Sequence, residues 1–156
     1  MMALHTNKDS AHIMHLIRKN TIGAEIGVWM GNTSTQFLKK GLKKFYMVDP
    51  YSVEPYKNSS EMTYQEWLAK YQPITGEIAE AGFQKFYERV WKEIKSRFEH
   101  MNEVELCRET SDSFFERYLA SKGHGNFEML DWIYIDGNHS YEPVSYTHLT
   151  LPTIRE

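Results

Sequence analysis

The sequence contains little that would support a disulfide, a membrane span or a polyanion-binding surface. Among 156 residues there is one cysteine, Cys107, which excludes an intramolecular disulfide and fits a reducing compartment. No apolar run is long enough to cross a bilayer, and residues 1–5 lack the apolar core of a secretory signal. The formal net charge of -3 gives no electrostatic reason to expect nucleic acid or a membrane surface as a partner. We therefore expect a soluble protein of the cytoplasm.

What is present is sufficient for one modest domain, since 41% of the residues are hydrophobic and 14% are aromatic. We assign residues 1–142 to this domain. Residues 144–153 match an in-frame translation of a transposase-end adapter used in sequencing libraries. Their Val, Tyr, Thr and Leu content also suits a β-strand, but the length of the match outweighs that composition. We expect residues 143–156 to be a non-native tail and the domain to be a fragment.

Apolar runs alternate with amphipathic stretches along residues 1–142. Predicted strands cover residues 24–28, 45–48, 104–107 and 130–135. The first predicted helix is capped by Asp9 or Ser10 and ends near Asn20, and the second is capped by Asn32 or Thr33 and continues through Leu42. Two further predicted helices begin near Phe83 and at Ser111 or Asp112, and they end near His100 and Ala120. Strand and helix in alternation predict a parallel sheet with right-handed crossovers.

An unusually long connection, about residues 51–102, separates the second and third predicted strands. Connections of this length inside a compact domain are often functional lids or binding loops. We expect the helix over residues 83–100 to pack on the sheet. For Tyr51, Tyr56 and Trp67 a lid and simple packing are equally good interpretations.

Two segments near the N-terminus suggest a site for a nucleoside-bearing cofactor. The segment AEIGVWMGNTS (24–34) reads as a strand, a turn with two glycines and a helix start. The segment FYMVDPY (45–51) reads as a strand ending in Asp49, 22 positions after Gly27. Glycine allows a ligand to approach the backbone, a helix N-terminus favours an anionic group, and an acid can bind a ribose diol.

The fourth predicted strand delivers Asp136 and His139 to the carboxyl edge of the sheet, where ligands bind in open α/β folds. Together, AEIGVWMGNTS, FYMVDPY, ETSDSF and DWIYIDGNHSYE resemble a class I S-adenosylmethionine-dependent methyltransferase. The similarity is to the small-molecule O-methyltransferase-like group whose fourth strand is followed by IDG-x-H-x-Y, and it covers about residues 21–142. It implies an incomplete Rossmann-like α/β sheet of about four strands in the order 3-2-1-4.

The resemblance also implies roles for residues around the first turn. Glu25 would interact with the ammonium group of S-adenosylmethionine, although an ion pair or a helix cap would also explain it. Gly27 would allow close approach of the methionine part, and Gly31 would permit the tight turn into the helix. Backbone amides near Asn32 and Thr33 would face the methionine carboxylate.

Further residues match positions that contact the nucleoside in the similar family. Asp49 would accept hydrogen bonds from both ribose hydroxyls, while the alternative is an aspartate that stabilises a turn before Pro50. Ser111 and Asp112 fall where the family contacts adenine. Capping of the following helix explains these two residues equally well.

The chemistry of methyl transfer would involve the segment after the fourth strand. By resemblance, Asp136 is a candidate catalytic acid or a ligand of Mg²⁺, which would bind an acceptor hydroxyl and lower its pKa. Asn138 stands where many relatives have a second acid, which weakens that metal assignment. His139 is a candidate general base, although a loop histidine more often has a structural role. The acceptor implied is a small molecule with a hydroxyl group, and nitrogen acceptors remain open.

Two other functions fit parts of the same pattern. An NAD-type oxidoreductase also uses a strand, a turn and a ribose acid, but the second and third glycine positions of its fingerprint hold Trp29 and Asn32. A non-catalytic binding module could use the aromatic segment for a partner. The sequence does not determine the oligomeric state.

Overall fold

The computed structural model describes residues 13–57, 63–77, 79–123 and 128–136. The strands are β1 (Ile22–Ile26), β2 (Lys44–Val48), β3 (Val104–Cys107) and β4 (Trp132–Ile135). The helices are α1 (Asn32–Leu38), α2 (Glu54–Lys57), α3 (Tyr64–Thr75), α4 (Glu80–Phe98) and α5 (Ser111–Ala120), and a 3₁₀ turn covers Ser121–Gly123. None of the helices within these ranges is long and apolar enough to cross a membrane.

The four strands form a parallel sheet in the order β3-β2-β1-β4. This confirms the predicted incomplete Rossmann-like α/β fold. Backbone hydrogen bonds extend the ladders past the strand ends, from Gly27 N to Val48 O (2.9 Å), Asp49 N to Cys107 O (3.1 Å) and Asp136 N to Ile26 O (2.8 Å). Gly27, Asp49 and Asp136 therefore lie side by side at the carboxyl edge of the sheet.

Alternate side chains of each strand enter two separate cores, as the twofold period of a strand requires. On one face Phe45 and Met47 of β2 pack with helices α1 and α4. On the other face Tyr46 and Val48 pack with α5. The sheet is thus covered on both faces, which is typical of parallel sheets.

Strand β1 begins two residues earlier than predicted, because Gly23 belongs to the strand and does not end the preceding helix. Gly23 pairs with Trp132 of β4, and a Cβ atom at Gly23 would lie 2.1 Å from the Trp132 ring. The glycine is needed to let the indole ring lie over the neighbouring strand. Its role comes from a contact between residues far apart in sequence.

Helix α1 also differs from the prediction at both ends. Its N-cap is Gly31, in a left-handed conformation with φ 71°, and neither Asn32 nor Thr33 caps it with a side chain. The helix ends at Leu38 rather than at Leu42. The chain turns there, with Gly41 at φ 70° donating its N–H to Leu38 O (3.1 Å). The first predicted helix begins outside the described residues.

The long connection contains α2, α3 and α4, of which only α4 was expected. Helix α3 starts with a capping box, in which Thr63 Oγ1 accepts from Glu66 N (3.3 Å) and Glu66 accepts from Thr63 N (2.8 Å). Tyr51 and Trp67 are only 1% and 2% exposed. Packing, rather than a lid, therefore describes both side chains in this structure.

Candidate functional site

Acidic side chains gather at the carboxyl edge of the sheet. Glu25 lies on β1, Asp49 follows β2 and Asp136 follows β4. Asp136 and Asp49 both act electrostatically on Glu25 and favour its protonated form, so the pKa of Glu25 is raised by these neighbours as well as by its burial. A group of like charges at this edge is suited to a ligand that brings hydrogen-bond donors or a positive charge.

Glu25 is almost completely buried, with 1% of its surface exposed. Its carboxylate accepts a hydrogen bond from the hydroxyl of Ser34 on α1. Burial is the main cause that raises the pKa of Glu25 well above 4.5, and the Ser34 bond only partly opposes it. Within the described ranges, Glu25 forms no ion pair with a basic side chain. A cationic group of a ligand would therefore have a buried acid available to it.

Asp49 connects two loops through its carboxylate. Its Oδ2 accepts from Trp29 N (3.0 Å) and its Oδ1 from Tyr51 N (2.8 Å). Burial raises the pKa of Asp49, and the backbone N–H groups, including that of Val28, oppose the rise. The bond to Tyr51 is the turn role that the sequence left as an alternative. A carboxylate has about four acceptor sites, so these backbone N–H groups leave capacity for a ligand hydroxyl.

The turn between β1 and α1 has an unusual backbone. Gly27 has φ 93°, and Trp29 has φ 51°, a left-handed conformation that is uncommon outside glycine. The Trp29 ring packs on aromatic rings of α3 and α4, with centroid distances of 6.2 Å to Tyr71, 5.6 Å to Phe86 and 5.9 Å to Tyr87. The Trp29 indole ring therefore packs against the long connection. A tryptophan at this position does not by itself exclude a bound pyrophosphate.

Helix α4 fixes the other end of the same turn. A Cβ atom at Gly31 would lie 2.9 Å from both Ile94 Cδ1 and Phe98 Cε2. Arg97 of α4 donates from Nη1 to Met30 O at 2.7 Å. Gly31 therefore serves close helix packing as well as the turn into α1. Neither Arg97 nor Ser34 was predicted as a site residue, because no local sequence pattern links either residue to its partner.

The start of α5 resolves one alternative left by the sequence. The N-cap is Thr110, whose Oγ1 accepts from Ser113 N (3.3 Å), so Ser111 and Asp112 are not needed as caps. Asp112 Oδ1 is buried and has no hydrogen-bond partner within the described part of the chain. Burying such an acceptor without a donor is unfavourable. A donor supplied by a ligand would satisfy it.

The proposed metal site lacks support in the structure. No group of three or more His, Cys, Asp or Glu side chains in the described ranges is placed to hold a metal ion. These residues do not fit a Mg²⁺ site, and we assign no chemical step to one. Asn138 and His139 lie outside the described residues, so the general-base role of His139 stays a prediction. Asn32 and Thr33 form the first turn of α1, where their contact with a ligand is likewise untested.

Comparison with known proteins identifies the family. No curated protein gives a significant match to the chain. A family model described as a methyltransferase domain matches residues 24–156, which is most of the chain. The matched range includes residues 143–156, whose non-native origin stays a prediction. The glycine turn after β1, the acid after β2 and all of the sheet except the first two residues of β1 lie within the matched range, and the chain belongs to this methyltransferase domain family.

Proposed function

We propose that the chain binds S-adenosylmethionine along the carboxyl edge of the sheet and directs its methyl group to a hydroxyl of a small molecule. One observation carries this proposal. Three acids follow the order of the strands, with Glu25 on β1, Asp49 after β2 and Asp112 after β3. The cofactor presents donors in the same order, namely an ammonium group, two ribose hydroxyls and an adenine amino group.

Each acid has a feature that suits its part of the cofactor. Glu25 is buried without a cationic partner in the described ranges, and an ammonium group would favour its ionised form. Asp49 is held by two backbone N–H groups and can still accept from a diol. Asp112 has a buried oxygen without a donor in the same ranges. Gly27 has no side chain to obstruct the cofactor beside them.

When bound, S-adenosylmethionine supplies a methyl group that is already activated as a sulfonium. The protein's contribution is then chiefly to bind and orient the two substrates, which lowers the entropic part of the barrier. Asp136 is placed next to Glu25 at the end of β4, on the side of the sheet edge opposite to Asp112. We assign the acceptor to this side, with His139 as the base that receives the hydroxyl proton.

The nature of the acceptor is the finer part of the proposal. The preference for oxygen over nitrogen rests on the resemblance of the segment DWIYIDGNHSYE to O-methyltransferases. The preference for a small molecule over nucleic acid rests on the net charge of -3. A cytoplasmic location is also proposed, since a single cysteine fits a reducing compartment. The family match favours methyl transfer over the hydride transfer of an NAD-dependent enzyme.

Calorimetric titration of the 156-residue chain with S-adenosylmethionine and with NAD tests the proposal. We expect binding of S-adenosylmethionine only, and Asp49→Asn weakens it at least about tenfold, because charge-assisted bonds to the ribose are lost. Asp131→Asn is the matched control. Asp131 also accepts from a backbone N–H, that of Ile22 at 2.8 Å, but it precedes β4 at the opposite edge of the sheet.

Binding of NAD without S-adenosylmethionine would overturn the proposal. Radiolabelled methyl transfer to a panel of hydroxyl and amine acceptors then tests the reaction. Transfer to hydroxyls supports the proposed acceptor, and transfer to amines alone contradicts it. Cofactor binding without transfer to any acceptor favours the non-catalytic binding module.

A further inference from the structure

Tyr51 completes a closed set of hydrogen bonds around Asp49. Its backbone N–H donates to Asp49 Oδ1 at 2.8 Å, and its side-chain hydroxyl donates to Trp29 O at 3.0 Å. Trp29 N in turn donates to Asp49 Oδ2 at 3.0 Å. The three residues thus connect the loop after β1 to the loop after β2 through both carboxylate oxygens.

Two of these residues have backbones that L-amino acids rarely adopt. Trp29 has φ 51° and Tyr51 has φ 47°, and neither is glycine. Such conformations persist only where surrounding contacts hold them, and they concentrate at functional sites. The hydroxyl of Tyr51 supplies one of these contacts, because it binds the carbonyl on one side of the Trp29 Cα while the N–H on the other side donates to Asp49. The two bonds together restrain the backbone dihedral angles of Trp29.

Tyr51 is itself fixed by elements outside the two loops. It is 1% exposed, its ring lies 5.4 Å from the ring of Trp91 on α4, and its carbonyl accepts from Arg108 at 3.4 Å. Burial, with the nearby charge of Asp49, raises the pKa of the Tyr51 hydroxyl. The hydroxyl therefore remains protonated at neutral pH and can donate to the Trp29 carbonyl.

We propose that Tyr51 is a positioning residue for the ribose-binding carboxylate of Asp49. By binding the Trp29 carbonyl, its hydroxyl restrains the backbone of the residue whose N–H donates to Oδ2, so that the carboxylate is kept in one orientation before the cofactor arrives. A carboxylate oriented in advance binds the ribose diol without an ordering cost. This inference rests on the proposed function, because it assumes that Asp49 binds the ribose.

Tyr51→Phe tests the inference, since it removes one hydroxyl and retains the ring. Tyr118→Phe is the matched control. The Tyr118 hydroxyl also joins two backbone groups, since it donates to Glu128 O (3.1 Å) and accepts from Leu130 N (2.8 Å). It lies on the α5 side of the sheet. Calorimetry measures the dissociation constants of S-adenosylhomocysteine and of its 2′,3′-dideoxyribose analogue for each protein.

We expect Tyr51→Phe to weaken S-adenosylhomocysteine binding about fivefold to tenfold, the effect of one buried hydrogen bond, and to leave binding of the dideoxy analogue unchanged. Tyr118→Phe should leave both affinities unchanged. Equal binding of S-adenosylhomocysteine by Tyr51→Phe and the wild type would overturn the inference. So would an equal loss for both ligands, which indicates a purely structural role.

A measurement on the wild type keeps the inference testable if Tyr51→Phe does not fold. The amide of Trp29 should exchange with deuterium as slowly as that of Gly27, whose N–H bonds Val48 O at 2.9 Å. Fast exchange at Trp29 would refute the inference. Failure of the folded wild type to bind S-adenosylhomocysteine would instead refute the proposed function, and the inference with it.

Discussion

Replacing Gly31 by alanine is expected to destabilise the protein through two separable effects. The first is conformational, because φ 71° is unfavourable for a residue with a Cβ atom, by about 1–2 kcal/mol. The second is steric, because the new methyl group would lie 2.9 Å from Ile94 and Phe98 of α4. Overpacking of this kind costs about 1–3 kcal/mol. The sum, about 2–5 kcal/mol, is a large part of a typical domain stability of about 5–15 kcal/mol.

Two other glycines allow the two effects to be measured separately. Gly76 has φ 73° and nothing within 4 Å of an added Cβ atom, and Gly41 has φ 70° with the nearest atom, Lys19 Cγ, at 3.5 Å. Alanine at either position adds the conformational cost without the clash. We therefore expect Gly76→Ala and Gly41→Ala each to cost about 1–2 kcal/mol.

Urea denaturation followed by tryptophan fluorescence gives the three free energies of unfolding on one scale. The free-energy loss for Gly31→Ala should exceed the losses for both controls by at least about 1 kcal/mol. A loss equal to that of Gly76→Ala would refute the reasoning, because it would mean that α4 does not restrict residue 31. A changed slope with urea concentration would indicate an altered unfolded state instead.

Three further substitutions follow from the same structure. Gly23→Ala should lower the free energy of unfolding in urea by at least about 2 kcal/mol, because its Cβ would overlap Trp132. The loss should be smaller in a Trp132→Leu background, and equal losses in the two backgrounds would contradict the contact. Glu25→Gln should stabilise the protein at neutral pH by about 1 kcal/mol and weaken S-adenosylmethionine binding about tenfold. Because the folded-state pKa of Glu25 lies above 4.5, the stability of the wild type should fall as the pH rises from 4.5 through that pKa. Thermal melts of the variant should show a shallower fall of stability with pH. An unchanged dependence of stability on pH would argue against the raised pKa. Arg97→Ala should lower the free energy of unfolding by about 1 kcal/mol, because its hydrogen bonds to the turn after β1 are lost. Lys95→Ala, on an exposed part of α4, should lower it much less. Similar losses for the two variants would argue against a specific role of the Arg97 guanidinium.

Local sequence patterns predicted much of the sheet. The strand over residues 104–107 was predicted with its observed bounds, and the order 3-2-1-4 followed from the resemblance of four segments to a known family. The start of β1 was placed wrongly because Gly23 has the local appearance of a helix stop. Only the contact with Trp132 explains a glycine inside the strand, and a residue 109 positions away leaves no local pattern.

Helix α3 was missed although its signal is present in the sequence. Thr63 and Glu66 have the spacing of a capping box, but the aromatic residues and Pro73 that follow favoured an irregular segment. The position of Asp49 at the end of a strand was predictable from the buried apolar run before it, whereas its role in binding stays a prediction. The hydroxyl of Tyr51 and the guanidinium of Arg97 could not be assigned, because each acts on a backbone carbonyl whose position depends on the whole fold.

The contact between the β1–α1 turn and the long connection determines which parts of this fold can be exchanged between relatives. A chimaera with crossovers near Pro50 and Asn102 would separate the Trp29 ring from Phe86 and Tyr87. The unit of exchange must therefore include residues 27–31 together with the connection, although more than fifty residues separate the turn from the ring partners in α4. Recombination within this family should retain the two segments from the same parent, and paired substitutions at their contact should accumulate together.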